Sequence, residues 1–143
     1  MNNAVDKKTV AQFIKYAVVG CMNTALTLIV IFVCKSLLGV NPYVSNALGY
    51  IAGLINSFLW NRRWVFHSTD GRIHRQAIHF LIGFCICYAV QFAVVWMLNQ
   101  SSFGQLEVNV AGFTLSGYGI ATLIGNICYT LANFVYNRTI TFR

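Results

Sequence analysis

The sequence predicts an all-α integral membrane protein with four transmembrane helices built as two same-orientation, two-helix repeats. Three observations carry that reading: a composition poor in charge, long apolar stretches, and a motif that occurs twice. Of the 143 residues, 57% are hydrophobic, 9% are charged and one is proline, against roughly 45–50% apolar and about 25% charged in soluble domains. Three acidic residues cannot keep such a surface soluble. Length excludes a multidomain enzyme, and apolar content excludes a disordered chain. The five cysteines lie inside hydrophobic runs rather than in a disulfide framework. A net charge of +7 does not point to nucleic acid, because the basic residues sit between apolar segments instead of on a solvated face interleaved with aromatics. Anionic lipids are the expected electrostatic partner.

A helix crosses the hydrocarbon core with about 20 residues, and the predicted spans are Phe13–Val33, Pro42–Trp60, Ile78–Leu98 and Gly117–Tyr136. The first exceeds the 7–15 apolar residues, roughly, of a signal peptide and has no A-x-A site after it, so it is expected to be retained. The second is short and carries Asn46, Asn56 and Ser57. Pro42 suits the first turn of a helix. The Asn99–Ser116 connection contains an alternating stretch, Gln105–Val110, before Ala111-Gly112, a pattern compatible with a small extracytoplasmic hairpin.

Lysine and arginine close to span ends stay preferentially in the cytoplasm. Lys7, Lys8 and Lys15, then Arg62, Arg63, Arg72 and Arg75, then Arg138 and Arg143 fall on one side, nine of the ten basic residues; Lys35 alone falls on the other. Both termini and the middle loop are therefore expected in the cytoplasm of a multi-pass inner-membrane protein. Tyr43, Trp60, Trp64, Trp96 and Tyr136 lie near span ends, where amphipathic rings favour the headgroup layer.

The segment Asn61-Arg62-Arg63-Trp64-Val65-Phe66 recurs as Asn137-Arg138-Thr139-Ile140-Thr141-Phe142, and upstream Gly49, Ile51, Phe58 and Trp60 align with Gly125, Ile127, Phe134 and Tyr136. Each half opens on a phenylalanine-led span, Phe13-Ile14 and Phe80-Leu81, placing repeat one at about 13–66 and repeat two at about 80–142. Two spans per half return the chain to its starting side. The halves then share one orientation about an axis near the membrane normal, and in transporters substrate sites lie where repeats meet.

Helical spacing gathers small and polar residues on stripes: Asn46, Gly49, Gly53, Asn56 and Trp60 in span two; Thr122, Asn126, Tyr129, Asn133 and Asn137 in span four; Tyr16, Gly20, Asn23 and Thr27 in span one; Gly83, Cys87 and Gln91 in span three. Lipid cannot satisfy an amide, so the stripes point into the bundle or toward a partner protomer. They serve either as interhelical glue, at about 0.6 kcal/mol per bond on average, or as a polar path for a sugar headgroup. Arg62, Arg63 and Arg138 sit at headgroup depth, where a guanidinium offers bidentate donors to phosphate or to bulk anionic lipid. Arg72, Arg75 and His79 share a face entering span three.

Asp6, Asp70 and Glu107 all lie outside the spans, which disfavours a proton-coupled exporter with an intramembrane carboxylate. No phosphate-binding glycine loop is present, so ATP would have to act through a partner. No nucleophile–base pair or paired carboxylates suggest catalysis. Cys85 and Cys87, about 200° apart on a helix, make a poor metal pair. No enzyme activity, cofactor or metal site is expected.

Phe13-Ile-Lys-Tyr-Ala-Val-Val-Gly20 with Asn23-Thr24, Pro42-Tyr43 with Asn46-Ala47, Asn56-Ser-Phe-Leu-Trp-Asn-Arg-Arg-Trp-Val-Phe66 and its echo Asn133-Phe-Val-Tyr-Asn-Arg-Thr-Ile-Thr-Phe142 resemble the GtrA-like family of small four-span membrane proteins, over about residues 12–143. The resemblance implies translocation of a polyprenyl-phosphate-linked sugar from the cytoplasmic to the outer leaflet for cell-surface polysaccharide modification, beside a partner membrane glycosyltransferase. It implies that Arg62, Arg63 and Arg138, with Asn61 and Asn137 at the same span ends, meet the phosphate. Asn23, Asn46, Asn56, Gln91, Asn126 and Asn133 would then offer hydrogen bonds to sugar hydroxyls. The alternative is a non-transporting scaffold that recruits or stabilises the glycosyltransferase. Four helices leave little room for a headgroup path, which favours a homo-oligomer.

Overall fold

Two of the long helices start at capping residues. In the computed structural model, which describes residues 2–69, 71–110 and 113–143, Asn41 accepts a hydrogen bond from the backbone N–H of Tyr43 at 2.9 Å and Pro42 occupies the first turn of α2 (Pro42–Trp60). Ser116 does the same for α4 (Gly117–Tyr136), accepting from Gly119 N–H at 3.3 Å. The remaining long helices are α1 (Asn2–Phe32) and α3 (Ile73–Gln100). Both are longer than the hydropathy alone marked, because polar residues extend them beyond the apolar run. Asp70 and Ala111-Gly112 lie outside the described residues.

The chain divides into two compact units, residues 1–71 with Phe142 and residues 72–141 with Arg143. In the first, α1 runs on into a π-helical turn at Val33–Leu37. It ends at Gly39, whose φ of +65° is open to glycine without strain. α2 returns antiparallel to α1. Gly49 faces Ile31 and Thr27, where a Cβ would lie 2.6 Å from Ile31 Cγ1 and 2.9 Å from the Thr27 carbonyl; Gly53 faces the Thr27 hydroxyl. Only the missing Cβ allows that approach, which is how membrane helices without a hydrophobic driving force gain packing contact. α2 then passes into a π-helical turn, Asn61–Val65, closed by Phe66 N–H to the Asn61 carbonyl at 2.9 Å. Phe142 stacks on Phe66 at 5.2 Å between centroids.

In the second unit, α3 and α4 are joined by a 3-10 turn, Ser102–Gln105, and a two-stranded antiparallel hairpin. The strands are β1 (Glu107–Val110) and β2 (Phe113–Ser116), with Glu107 opposite Ser116 and Val110 opposite Phe113. Gly125 packs on Val95, with a Cβ position 2.6 Å from Val95 Cγ2, and Gly83 packs against the Tyr136 ring. α4 also continues into a π-helical turn, Asn137–Thr141.

Three helical segments, Lys7–Leu37, Ile73–Gln100 and Gly117–Thr141, are long and apolar enough to cross a membrane. α2 is not among them, since Tyr43, Asn46, Asn56 and Ser57 dilute its apolar residues. The helices are nearly bare of buried aliphatics: Leu28, Phe32, Leu37, Phe92 and Met97 are all exposed, whereas the buried side chains include Ser45, Asn61, Gln76, Asn133, Asn137 and Thr141 beside Val19, Val65, Phe80, Ala121 and Phe134. Grease outside and polarity inside is the distribution a membrane protein needs.

Candidate functional site

The two copies of the Asn-Arg motif occupy the same kind of place. Each begins a π-helical turn that prolongs the second helix of its unit, and single π turns are frequent at functional positions because the wider i→i+5 loop re-aims the side chains that follow. Asn61 and Asn137 are 1% and 0% exposed. The Asn61 amide donates to the Ser57 hydroxyl at 3.2 Å, four residues back, and the Asn137 amide donates to the Asn133 carbonyl oxygen at 3.2 Å. Where the two copies differ, Ser57 against Asn133, the bond is kept. Asn133 in turn donates to the Tyr129 hydroxyl at 3.4 Å. Among the described residues, the side-chain carbonyl oxygens of both Asn61 and Asn137 are buried without a hydrogen-bond partner, as is the Thr141 hydroxyl. An orphaned buried acceptor costs about 1–3 kcal/mol, and the same orphan stands at the same motif position in both units.

The arginines follow directly. Arg62 and Arg138 are half-buried and Arg63 is exposed. In the first unit Lys15 lies over the Trp64 ring, 5.5 Å from its centroid, and Trp60 meets Trp64 edge to face at 6.0 Å. One lysine and two indoles thus lie beside the first Asn-Arg turn. At the start of α3, the His79 Nδ1 is 2.7 Å from the Arg75 carbonyl; a carbonyl only accepts, so that nitrogen carries the proton.

The remaining residues marked by sequence separate into groups. The Asn56 amide donates to the Asn23 carbonyl oxygen at 2.7 Å across α1 and α2, and the Gln91 amide donates to the Asn126 carbonyl oxygen at 2.6 Å across α3 and α4. Both pairs serve as interhelical bonds, and each has three amide N–H groups and three carbonyl lone pairs outside that bond. Asn46 stands apart: it is exposed and lies 15 residues from Asn61, about 22 Å along the helix. Ser57 and Tyr129 belong to the site and were not singled out as substrate contacts, although the i, i+4 spacing to Asn61 and Asn133 marks them. Gln12 and Gln76 add two further amides, one in each unit. Gln76 is 2% exposed and the Gln12 carbonyl oxygen is buried without a partner; each lies within a polar entry to its helix, where amides are unremarkable.

The helix contacts also correct the alignment of the halves. Gly49 meets Thr27 and Ile31 as Gly125 meets Gln91 and Val95. This pairs Thr27 with Gln91, Gln12 with Gln76 and Tyr16 with Phe80, so the two phenylalanine-led starts, Phe13 and Phe80, are not equivalent. Packing depth on the glycines, not the first aromatic residue, sets the register.

Apolar spanning helices, interhelical amide pairs and basic π-helical ends define a multi-pass membrane protein. The chain belongs to the GtrA/DPMS transmembrane-domain family, whose profile matches residues 15–142. It is similar to the uncharacterized membrane protein YngA of Bacillus subtilis (strain 168), 24% identical over 134 residues that cover 92% of this chain and 86% of the relative. It is also similar to the cell wall teichoic acid glycosylation protein GtcA of Listeria innocua, 21% identical over 139 residues that cover 92% of this chain and 85% of that protein.

Proposed function

We propose that this protein serves cell-surface polysaccharide glycosylation by moving a polyprenyl-phosphate-linked sugar from the cytoplasmic to the outer leaflet. Family membership and the teichoic acid glycosylation role in the name of GtcA support the pathway. The observation that carries the mechanism is the recurrence of a π-helical Asn-Arg turn at the end of α2 and of α4, a repeated cationic station next to a buried carbonyl that lacks a donor.

In this reading α2 is the fourth span, held in the membrane by its pairing with α1, and each unit is one repeat. The excess of lysine and arginine on one side orients both termini to the cytoplasm. Arg62 and Arg138 receive the phosphate by charge-assisted hydrogen bonds, with Arg63 as an outer contact. Amides along the stripes exchange hydrogen bonds with sugar hydroxyls, and the polyprenyl tail stays in lipid. A glycosyltransferase that makes the lipid-linked sugar is the implied partner, and no covalent step is assigned to this chain.

The test is reconstitution into vesicles carrying a labelled polyprenyl-phosphate sugar on one leaflet. Exchange above that of empty vesicles is expected, with a loss of at least tenfold in the Arg62→Ala/Arg138→Ala variant. Absence of exchange, with the glycosyltransferase still retained by the protein, would replace translocation by the scaffold role.

A further inference from the structure

The second unit holds a cleft that the Asn-Arg stations do not use. It has a volume of about 230 Å³ and opens between α3 and the start of α4, lined by Tyr88, Gln91, Trp96, Asn99, Tyr118 and Thr122 among others. Drug-sized ligands occupy roughly 300–1,000 Å³, so this space suits about one sugar ring. Every lining residue is uncharged. The mixture is specific: flat aromatic faces accept the C–H face of a pyranose, while amides and a hydroxyl exchange hydrogen bonds with its ring substituents. Tyr88, Trp96 and Tyr118 are 57%, 57% and 60% exposed, leaving their faces open to an occupant.

The polar groups are partly committed, which orients what remains. One Gln91 N–H is bonded to Asn126, leaving the Gln91 carbonyl oxygen as an acceptor. The Thr122 hydroxyl donates to the Tyr118 carbonyl at 2.8 Å, so its lone pairs remain to accept. A ligand rich in O–H donors answers both.

The first unit shows what the same position looks like without these groups. By the register that matches Gly49 with Gly125, the counterparts of Tyr88, Trp96 and Asn99 are Thr24, Phe32 and Lys35, and those of Tyr118 and Thr122 are Pro42 and Asn46. Both tyrosines, the indole and both amides of the cleft, Gln91 and Asn99, are replaced there. Helix packing alone therefore does not call for them.

We propose that this cleft binds the neutral sugar ring of the lipid-linked substrate, as a second station distinct from the phosphate-binding Asn-Arg turns. The proposal rests on the translocation reading for the source of the sugar. Thr122 lies 16 residues before Arg138, about 24 Å along the helix, most of the roughly 30 Å hydrocarbon thickness. A headgroup whose phosphate is held at Arg138 does not reach the cleft, so the sugar occupies it after leaving the cationic end.

The test uses the full chain in detergent micelles with Trp60→Phe and Trp64→Phe, so that Trp96 is the sole tryptophan. The probes are methyl glycosides of glucose, galactose and N-acetylglucosamine, with inorganic phosphate as the control. A saturable change in Trp96 emission with at least one glycoside, none with phosphate, and a tenfold or greater weakening by Gln91→Leu or Tyr118→Ala are expected. If the sole-tryptophan protein keeps its helical circular dichroism and no glycoside up to 100-fold molar excess over the micelles alters Trp96, the proposal is overturned; an equal response to phosphate overturns it as well. Leaflet exchange without glycoside binding removes the cleft and leaves translocation standing. Glycoside binding without exchange does the reverse.

Discussion

The two units solve one packing problem in different ways. In the first, Val19 is fully buried in α1 while Trp60 at the end of α2 is 42% exposed. In the second, the residue matching Val19 is Gly83, and the residue matching Trp60, Tyr136, lies against it. One unit fills the space with a branched aliphatic and sends its aromatic outward; the other removes the side chain and draws the aromatic in. Helical spacing fixes the face a residue occupies, but the space between the helices is filled from either side, by Val19 of α1 in one unit and by Tyr136 of α4 in the other. What both units keep is the Asn turn with its bonded amide and its unpaired carbonyl. Packing has diverged where the polar turn has not, which marks the turn as the shared requirement.

The largest expected break in this comparison comes from Gly83→Val. A Cβ there runs into the Tyr136 ring, and overpacking of this kind costs about 1–3 kcal/mol. Adding Tyr136→Ala should recover most of that loss, as measured by unfolding in detergent with increasing dodecyl sulfate. Recovery below a quarter of the loss would show that Gly83 and Tyr136 are not partners.

An effect of the same order sharpens the polar half of the comparison. Asn133→Ala removes the acceptor for the buried Asn137 amide, leaving a donor unpaired at about 1–3 kcal/mol. Ser57→Ala should do the same to Asn61 in the first unit. Losses equal within about 0.5 kcal/mol, the additivity limit for independent sites, would support equal roles; a loss in one unit alone would separate them.

The smallest expected effect concerns the interhelical amides. Double-mutant cycles on Asn23 with Asn56 and on Gln91 with Asn126 should each give a coupling near the average of about 0.6 kcal/mol, with about 1.7 as a ceiling. The Asn23–Asn56 bond is the more buried of the two and should have the larger coupling. The reverse order would mean that water does not compete in the cleft beside Gln91.

The limits of α2 and α4, Pro42 in the first turn of α2 and the recurrence of the Asn-Arg segment were legible in the sequence, because they depend on neighbours within a few residues; the polar starts of α1 and α3 were not. So was the presence of amides on common helix faces, which follows from a period of 3.6. Their partners were not legible. Periodicity assigns a face to Asn56 or Gln91 but leaves open the height at which the facing helix presents its own amide. Gly49, Gly53, Gly83 and Gly125 set that height through close contacts, and a one-turn slide would pair different residues without changing the pattern of either helix. The π-helical turns were hidden as well: the three segments, Val33–Leu37, Asn61–Val65 and Asn137–Thr141, share no composition that would mark a carbonyl as bonding to the fifth residue beyond it instead of the fourth. The sequence alone therefore determined a membrane protein with a repeated cationic polar motif. Only the tertiary structure decided which amides are joined, which carbonyls are left without a donor, and that aromatics and amides of α3 and α4 line a cleft in the second unit.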